Sequence, residues 1–430
     1  MENRYDKYKD SGIEWIGEIP EHWEVKKLGH LYIPRNEKVS DQDYPALSVT
    51  MQGILLQLEN VAKTNDGDNR KLVRIGDFAI NSRSDRRGSC GISKYDGSVS
   101  LINTVLTPIN DMNPVYYEWL FHSSLFSDEY YRWGHGIVND LWTTRWQEMK
   151  NIQIASPPLQ EQQAIATYLD QKCGEIDELI ALQEEMITKL QSYKQSVITE
   201  TVTKGLDKNA PLKDSGIEWI GEIPEHWEAS KTLFSLSMPI TDGPHTTPEL
   251  FETGIPFVSA EAVSFGNGRI DFSHIRGYIS EAFYQECCKK YIPQIDDIYM
   301  IKSGATTGRV AIVDVDVKFT IWSPLAVFRC NNERMLSRFL FYQLQSNGYQ
   351  KQIELNWSYG TQQNIGMRTL EKLILSVPPL PEQQAIADYL DQKCGEIDKL
   401  ISIKQQKIEK LKDYKKSLIF ECVTGKRKVC

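Results

Sequence analysis

The 430-residue sequence predicts an α+β fold. Two mixed α/β domains would be joined by two long antiparallel helices, a coiled coil, with a pseudo-twofold internal repeat. Three observations predict this arrangement. The phrase DSGIEWIGEIPEHWE at residues 10–24 returns unchanged at 214–228. The segment EQQAIATYLDQKCGEIDELI at 161–180 returns at 382–401, changed only at Thr167/Asp388 and Glu178/Lys399. Two variable blocks that share sparse landmarks lie between these repeats, and a long-period repeat of this kind indicates a duplicated architecture.

The repeats divide the chain into six segments. They are a first phrase (1–24), a first variable block (25–156), a first long-helix region (157–207), a second phrase with its linker (208–228), a second variable block (229–377) and a second long-helix region (378–430).

Each phrase precedes the first strand of a variable block. We expect its large apolar residues to be packing anchors, with Gly and Pro fixing the turns between them. These residues are Trp15, Ile16, Ile19 and Trp23, with their copies Trp219, Ile220, Ile223 and Trp227.

The variable blocks align without gaps at one place, at an offset of 220. There GDFAINSRSDRRGSCGI (76–92) matches DDIYMIKSGATTGRVAI (296–312), and each segment predicts a strand, a polar glycine-bearing loop and a second strand. The offset between the phrases is 204, so the second block carries about sixteen extra residues before this point. Both blocks therefore predict one fold with different surface residues.

The long-helix regions show apolar residues at three- and four-residue spacing, with charged residues between them. About forty residues at ~1.5 Å each make a helix of roughly 60 Å, which needs a partner for its apolar stripe. Residues 161–205 carry eight acidic and four basic residues, and 382–426 carry eight and nine, which favours pairing between the two regions. Gly174 leaves open a break or bend, and a core helix is the alternative reading. The predicted pairing residues are Leu169, Ile176, Ile180, Ile187 and Leu190 in the first region, and Leu390, Ile397, Ile401, Ile408 and Leu411 in the second.

Composition excludes some classes of protein and leaves others open. A net charge of −9 argues weakly against a nucleic-acid partner, yet residues 69–94 carry seven Arg or Lys against two Asp. A membrane span and a secretory signal are not expected, because apolar runs of sufficient length are missing from the sequence. Eight cysteines without a C-x-x-C pattern suggest free thiols in a reducing cytoplasm.

Enzyme motifs are weak. NPVY (113–116) lacks the second proline of an adenine methyltransferase motif, and SGATTGRV (303–310) has short glycine spacing and an arginine in place of the phosphate-loop lysine. The seven histidines lack metal-ligand spacing, so we predict no metal site and no bound cofactor in this chain.

These features together resemble the specificity subunit of type I DNA restriction–modification systems, over essentially the whole chain. The resemblance rests on four kinds of motif in order. These are SGIEWIGEIPEHWE before each block, PPLQEQQAIATYLDQK and PPLPEQQAIADYLDQK after them, TVTKGLD at 201–207, and DGPHTTPELFETGIPF at 242–257.

The resemblance implies that each variable block is a target-recognition domain reading one half of a bipartite site in double-stranded DNA. It further implies that the helices set the spacer and dock two modification subunits, which bind S-adenosylmethionine and methylate adenine. Motor-nuclease restriction subunits, which would use ATP and Mg, could join them. The chain itself would be non-catalytic. Independently, identical sequence cannot read two different half-sites, so the repeats should contact repeated partners while the divergent loops read bases.

Candidate DNA contacts follow from residue type, since Arg suits guanine, Asn and Gln suit adenine, and aromatics can stack. A solvated hairpin tip or a self-capping amide loop is the plain alternative. In the first block the candidates are Ser82, Arg83, Ser84, Arg86, Arg87, Asn139, Trp142, Thr143 and Arg145. In the second they are His245, Thr246, Lys302, Ser303, Thr306, Thr307, Arg309, Tyr359, Thr361, Gln362, Gln363 and Asn364, while Asp242 is taken as a structural turn residue.

Two other functional classes remain open from the residues alone. One is a coiled-coil interaction scaffold with duplicated ligand-binding domains, and the other is an enzyme with a divergent site in each block.

Overall fold

The computed structural model describes residues 4–57, 67–83, 86–109, 111–136, 142–359 and 363–429. The chain forms two compact units. Unit 1 comprises residues 1–184 and 405–430, and unit 2 comprises residues 185–404.

Unit 1 contains a β-rich domain. Its strands are β1 Tyr8–Asp10, β2 Glu18–Pro20, β3 Glu24–Lys27, β4 Tyr32–Pro34, β5 Lys38–Val39, β6 Leu47–Thr50, β7 Gly53–Leu56, β8 Arg70–Val73, β9 Phe78–Asn81, β10 Cys90–Ile92, β11 Gly97–Val99, β12 Asn103–Pro108 and β13 Gln153–Ser156. Its short helices are α1 Pro114–His122, α2 Ser124–Arg132 and α3 Trp146–Met149. A four-stranded antiparallel sheet has the order β10-β9-β12-β4, and a three-stranded sheet has the order β11-β8-β5.

The core of unit 1 is aromatic, because α1 packs against the four-stranded sheet and α2 packs against α1. Phe121 packs its ring 4.7 Å from Phe78 and 4.6 Å from Phe126, measured between centroids. Asn113 caps α1 by accepting hydrogen bonds from two backbone amides, and Pro114 occupies the first helical position, where the missing N–H costs nothing.

The long helix α4 Leu159–Lys204 follows β13 and contributes to both units. Unit 2 then repeats the order of strands, short helices and long helix. Its strands are β14 Leu212–Asp214, β15 Glu222–Pro224, β16 Glu228–Lys231, β17 Thr241–Asp242, β18 Ile255–Val258, β19 Tyr278–Ile279, β20 Ile298–Ile301, β21 Val310–Ile312, β22 Thr320–Ile321, β23 Leu325–Phe328, β24 Ser358–Tyr359, β25 Gln363–Asn364 and β26 Ile374–Val377. Its helices are α5 Ala260–Phe265, α6 Glu281–Cys288, α7 Ser337–Gln345, α8 Asn347–Asn356, α9 Met367–Leu370 and α10 Leu380–Val423. The four-stranded sheet has the order β17-β23-β20-β21, and β18 pairs with β19 and, in parallel, with β22.

The two long helices pair antiparallel within each unit, as predicted. In unit 1, Lys415 contacts Asp177 at 2.7 Å. In unit 2, Lys194 contacts Asp398 at 2.7 Å, and Lys404 Nζ lies 3.1 Å from Met186 Sδ. Asp398 and Lys415 are the repeat copies of Asp177 and Lys194, so one ion pair is made twice.

The predicted pairing residues form the covered side of these helices. Leu169, Ile176, Leu390, Ile397 and Ile408 are buried. Ile180, Ile187, Leu190, Ile401 and Leu411 are half-buried. The helix α4 runs through Gly174 without a break, so the break considered from the sequence does not occur.

The phrases make two small hairpins, β1–β2 and β14–β15, in the same register. Ile19, Trp23, Ile223 and Trp227 are buried as expected. The expectation for Trp219 is wrong, because its side chain is 38% exposed. The physical reason is local: Trp15 packs edge-on against Phe126 at 6.2 Å, whereas Trp219 lies under the ammonium of Lys351 at 5.9 Å.

Among the helices in the described part of the chain, none combines the length and the apolar character needed to cross a membrane.

Candidate nucleic-acid interface

Each unit contains one hairpin whose loop carries the polar residues singled out from the sequence. Cys90 lies opposite Ile80 in β10–β9, and Val310 lies opposite Met300 in β21–β20. A shift of 220 positions relates the two hairpins, so they share one register. The loops 82–89 and 302–309 therefore leave the sheets at equivalent points.

In unit 1 a second loop lies against the hairpin loop. The backbone N–H of Thr144 donates to the carbonyl of Ser82 at 3.0 Å. Arg83 and Thr143 form an isolated antiparallel bridge beside it. The structure thus brings together two candidate regions that are separated by about sixty residues.

The same contact recurs in unit 2 with different side chains. The N–H of Ile365 donates to the carbonyl of Lys302 at 2.9 Å, and Ser303 forms an antiparallel bridge with Asn364. Both domains therefore build a paired-loop surface from the same two places in the fold.

Arginine dominates the paired-loop surface of unit 1. Arg83, Arg86 and Arg145 are exposed. Arg87 is also exposed, but its guanidinium lies 3.3 Å from the Asp128 carboxylate and over the Tyr131 ring.

Three other candidates in unit 1 support the loops through internal bonds. Ser82 is buried, and its hydroxyl donates to the carbonyl of Ile102. The indole N–H of Trp142 donates to the carbonyl of Tyr131 at 2.7 Å. Thr143 exchanges backbone hydrogen bonds with His135.

The hairpin loop of unit 2 is tied to helix α5. Ser264 donates its hydroxyl to Thr306 at 3.0 Å, and its carbonyl accepts from Arg309 at 3.2 Å. The hydroxyl of Thr307 donates to the Gly304 carbonyl at 2.7 Å. Arg309 remains exposed.

The β24–β25 hairpin supplies the second loop of unit 2. Gln363 is half-buried and its carbonyl accepts from Gly304 N–H at 3.0 Å, while Asn364 is exposed. Ser84, Asn139, Thr361 and Gln362 lie outside the described residues, as does the side chain of Tyr359.

A buried carboxylate joins the third candidate region of unit 2 to this surface. Asp242 is 1% exposed, and Lys290 Nζ donates to its Oδ1. Its Oδ2 lies 3.1 Å from His245 Nε2 and 3.3 Å from Lys302 Nζ. Burial disfavours the charged form, but the two lysines outweigh it and lower the pKa of Asp242 below its usual value.

The outer part of this region is open to solvent. His245 has a side chain that is 72% exposed, and Thr246 beside it is also exposed. Sequence reasoning took Asp242 for a turn residue and passed over Lys290. The two lie 48 positions apart, and local sequence carries no signal for an ion pair across that separation.

In the described part of the chain, no group of three or more His, Cys, Asp or Glu residues is placed to hold a metal ion.

Comparison with known proteins identifies the family. The model of the type I restriction modification DNA specificity domain matches residues 20–191 and 244–413, which is most of the chain in two copies.

Relatives in two organisms match the chain. It is 27% identical to a chain assigned as the MjaX specificity subunit of a type I restriction enzyme of Methanocaldococcus jannaschii, with 96% of both chains covered. It is 25% identical to the MjaVIII specificity subunit of the same organism, covering 96% of this chain and 94% of that one. It is 22% identical to the EcoBI specificity subunit of Escherichia coli, over 64% of this chain and 59% of that one.

Solved structures share the fold. A chain from the structure that describes complex assembly and conformational transition of the type I R-M system superimposes with a TM-score of 0.70 at 16% identity, covering 94% of this chain and 98% of that one. The HsdS subunit from Thermoanaerobacter tengcongensis superimposes with a TM-score of 0.51 at 17% identity, covering 95% and 98%. With two matched domains, the duplicated paired-loop surface and this shared fold, the chain belongs to the type I restriction modification DNA specificity domain family.

Proposed function

We propose that this chain is the DNA sequence-specificity subunit of a type I restriction–modification complex, and that each unit's domain reads one half of a bipartite site. The main support for this proposal is the paired-loop surface, which both domains form with equivalent backbone hydrogen bonds and different side chains. A common scaffold with divergent polar loops is what reading two different half-sites requires.

The chemistry of the two surfaces fits base and phosphate contacts. Exposed Arg83, Arg86 and Arg145 suit guanine edges or phosphates in the first domain. Exposed His245 and Asn364 give the second domain a different set of donors and acceptors. Different sets predict different half-sites.

The duplicated helices would hold the partners. Large apolar residues are exposed at the same places in both repeats: Leu179 and Leu400, Leu182 and Ile403, Tyr193 and Tyr414. Each unit holds one complete set, because Tyr414 belongs to unit 1 and Tyr193 to unit 2. Two equal surfaces fit two copies of one partner, the modification subunit.

The remaining parts of the complex would carry the catalysis in the cytoplasm. Modification subunits would bring S-adenosylmethionine for adenine methylation, and restriction subunits would bring ATP and Mg. The long helices of this chain would set the unspecified spacer between the half-sites.

Comparing the methylomes of cells with and without this gene, in the presence of the modification subunit, tests the proposal. We expect loss of one adenine-methylated motif with two parts and a fixed gap. An unchanged methylome would contradict the proposal.

Replacing residues 25–156 by the matching block of another family member tests the division of labour. We expect one half of the motif to change while the other half and the gap persist. A change in both halves would overturn the assignment of one domain to one half-site. The reciprocal replacement of residues 229–377 is the matched control.

A further inference from the structure

The second domain holds three basic side chains from separate segments on one buried carboxylate. We propose that Asp242 is a positioning residue for half-site recognition, which keeps His245 and Lys302 in place at the recognition surface and releases them to acceptors on the DNA. This inference rests on the proposed function. The ligand of the site would be the base edges and the phosphate backbone of one DNA half-site.

The two oxygens of the carboxylate have different partners. Lys290 donates to Oδ1, whereas Oδ2 is buried and has no aligned hydrogen bond within the described structure. Lys302 Nζ and His245 Nε2 approach Oδ2 to 3.3 and 3.1 Å, so two basic side chains from different segments share one carboxylate oxygen. The side chains of His245 and Lys302 can turn to an acceptor on DNA while Lys290 stays paired with Asp242. The buried carboxylate is then never left without a positive partner.

The position of the cluster supports contact with DNA rather than a purely internal role. Lys302 is the first residue of the hairpin loop, and its carbonyl accepts a hydrogen bond from the N–H of Ile365 in the second loop. His245 is 72% exposed on the neighbouring turn. The carboxylate therefore links two candidate regions directly, and the backbone of Lys302 joins the second loop to them. A preorganised set of donors loses less entropy on binding.

The first domain is built differently at this place. Ser82 stands where the second domain has Lys302, and it donates its hydroxyl to the Ile102 carbonyl. A defect in the Asp242 cluster should therefore alter only the half-site that the second domain reads.

The variant Asp242→Asn separates positioning from folding. The amide keeps the shape of the carboxylate but removes the negative charge that faces Lys290 and Lys302, so the local surface becomes more positive. Binding to non-cognate DNA should then hold or rise, with a steeper salt dependence, while discrimination of the cognate half-site falls. A folding defect would lower both kinds of binding.

The experiment uses the complex of the full chain with its modification subunits. It measures binding and adenine methylation on duplexes that carry the bipartite motif, on duplexes substituted in one half, and on non-cognate DNA, at several salt concentrations. For Asp242→Asn we expect a loss of about 5- to 100-fold in discrimination at one half-site, seen in KM more than in kcat. The conservative variant Asp242→Glu should recover part of it.

Asp297→Asn is the matched control. Asp297 is equally buried in the same domain, and it pairs with Arg329 at 2.7 Å. It should lower thermal stability without changing half-site preference.

If Asp242→Asn does not fold, the variants His245→Ala and Lys302→Gln test whether the two basic side chains contribute to half-site discrimination. Unchanged discrimination in both of these variants, an equal change at both half-sites, or the same specificity change in Asp297→Asn would overturn the inference. Failure of the wild-type complex to discriminate any bipartite site would instead contradict the proposed function.

Discussion

Single residues explain why the phrase DSGIEWIGEIPEHWE is repeated. The indole N–H of Trp23 donates to Glu161 Oε2 at 2.9 Å, and Trp227 donates to Glu382 Oε2 at the same distance. Each glutamate lies in the first turn of a long helix. In each unit the phrase therefore anchors the first domain strand to the start of a long helix, through the same Trp–Glu hydrogen bond.

The histidine of each phrase adds to this anchor. His22 Nε2 lies 2.5 Å from Glu161 Oε1, and His226 Nε2 lies 2.7 Å from Glu382 Oε1. In unit 1 the hydroxyl of Tyr5 also donates to Glu161, at 2.8 Å. Burial raises the pKa of Glu161, but the bonds from Trp23, Tyr5 and His22 outweigh it and lower the pKa below its usual value.

We predict that Glu161→Gln lowers the free energy of unfolding by about 1.5–3 kcal/mol at pH 7, because bonds to a charged acceptor are lost. A carboxyl whose pKa is lowered by folding stabilises the protein above about pH 4.3, and this contribution disappears as pH falls through the lowered pKa. The difference between wild type and variant should therefore shrink on acidification. Urea unfolding at pH 7 and pH 4 measures it.

Glu382→Gln is the internal comparison for this prediction. Its side chain is 42% exposed against 17% for Glu161. We expect a smaller loss of stability, and an equal loss would show that the third bond and the deeper burial contribute nothing.

Residue-scale predictions from the sequence succeeded where the packing partner lies in a repeated segment, as Glu161 and Glu382 do, and failed where it lies in a variable block. Trp23 and Trp227 are buried alike. Trp15 and Trp219 have identical neighbours in sequence, yet Trp15 packs against Phe126 of α2 whereas Trp219 lies beside Lys351 of α8. The link from Asp242 to Lys290 was missed for the same reason.

At the scale of elements, both long helices end in the same way. Gly205 and Gly425 follow the helices with φ of +76° and +73°, a left-handed conformation that favours glycine. A Cβ at Gly425 would lie 2.3 Å from Pro20 Cδ, whereas one at Gly205 would come no closer than 3.1 Å, to the Trp227 ring. Each helix end is thus pressed against a phrase, more tightly in unit 1.

We predict that Gly425→Ala destabilises the protein more than Gly205→Ala. Both variants incur about 1–2 kcal/mol for a left-handed alanine, and only Gly425→Ala adds a clash with a proline ring. Thermal unfolding of the two variants measures the difference.

Gly174→Ala is the matched control, since Gly174 lies inside α4 and an added Cβ would meet open space among the described atoms. Alanine there should stabilise the helix by up to about 1 kcal/mol. Equal effects at all three positions would contradict the assignment of the two terminal glycines as close-packed helix caps.

The helices were the most predictable elements, because a stripe at three- and four-residue spacing depends on local sequence alone. The domains were less predictable. Before the aligned hairpins, unit 1 has strands β5 to β8, whereas unit 2 has α5 and α6 with β18 and β19. About sixteen extra residues were expected there. A difference in length alone does not indicate that strands in one domain are replaced by helices in the other.

At the scale of the whole molecule, the first phrase hairpin contacts the segment that follows α10 in unit 1, whereas in unit 2 β14 follows α4 directly along the chain. The hydroxyl of Tyr8 in β1 donates to the carbonyl of Gly425 at 3.1 Å, and Lys426 Nζ donates to the carbonyl of Glu18. In unit 2, residues 206–211 alone carry the chain from Gly205 to β14. Residues 426–430 and 1–7 are together more numerous than residues 206–211, so a covalent link from residue 430 to residue 1 would have enough length for the equivalent connection.

A circularly permuted chain therefore tests whether the repeat is structurally closed. We predict that joining residue 430 directly to residue 1, and opening the chain between Lys208 and Asn209, leaves both units folded, because no paired strand or helix is cut. Circular dichroism should show unchanged helix content, and the thermal midpoint should lie near that of the native chain. The control permutant opens the chain after Gly174, inside α4, where it removes helical hydrogen bonds and separates Asp177 from the buried residues before it. That control should lose helix content and stability. If the chain opened at 208 instead unfolds like the control, the linear order of the repeats would be required for folding, and the equivalence of the two junctions would be only apparent.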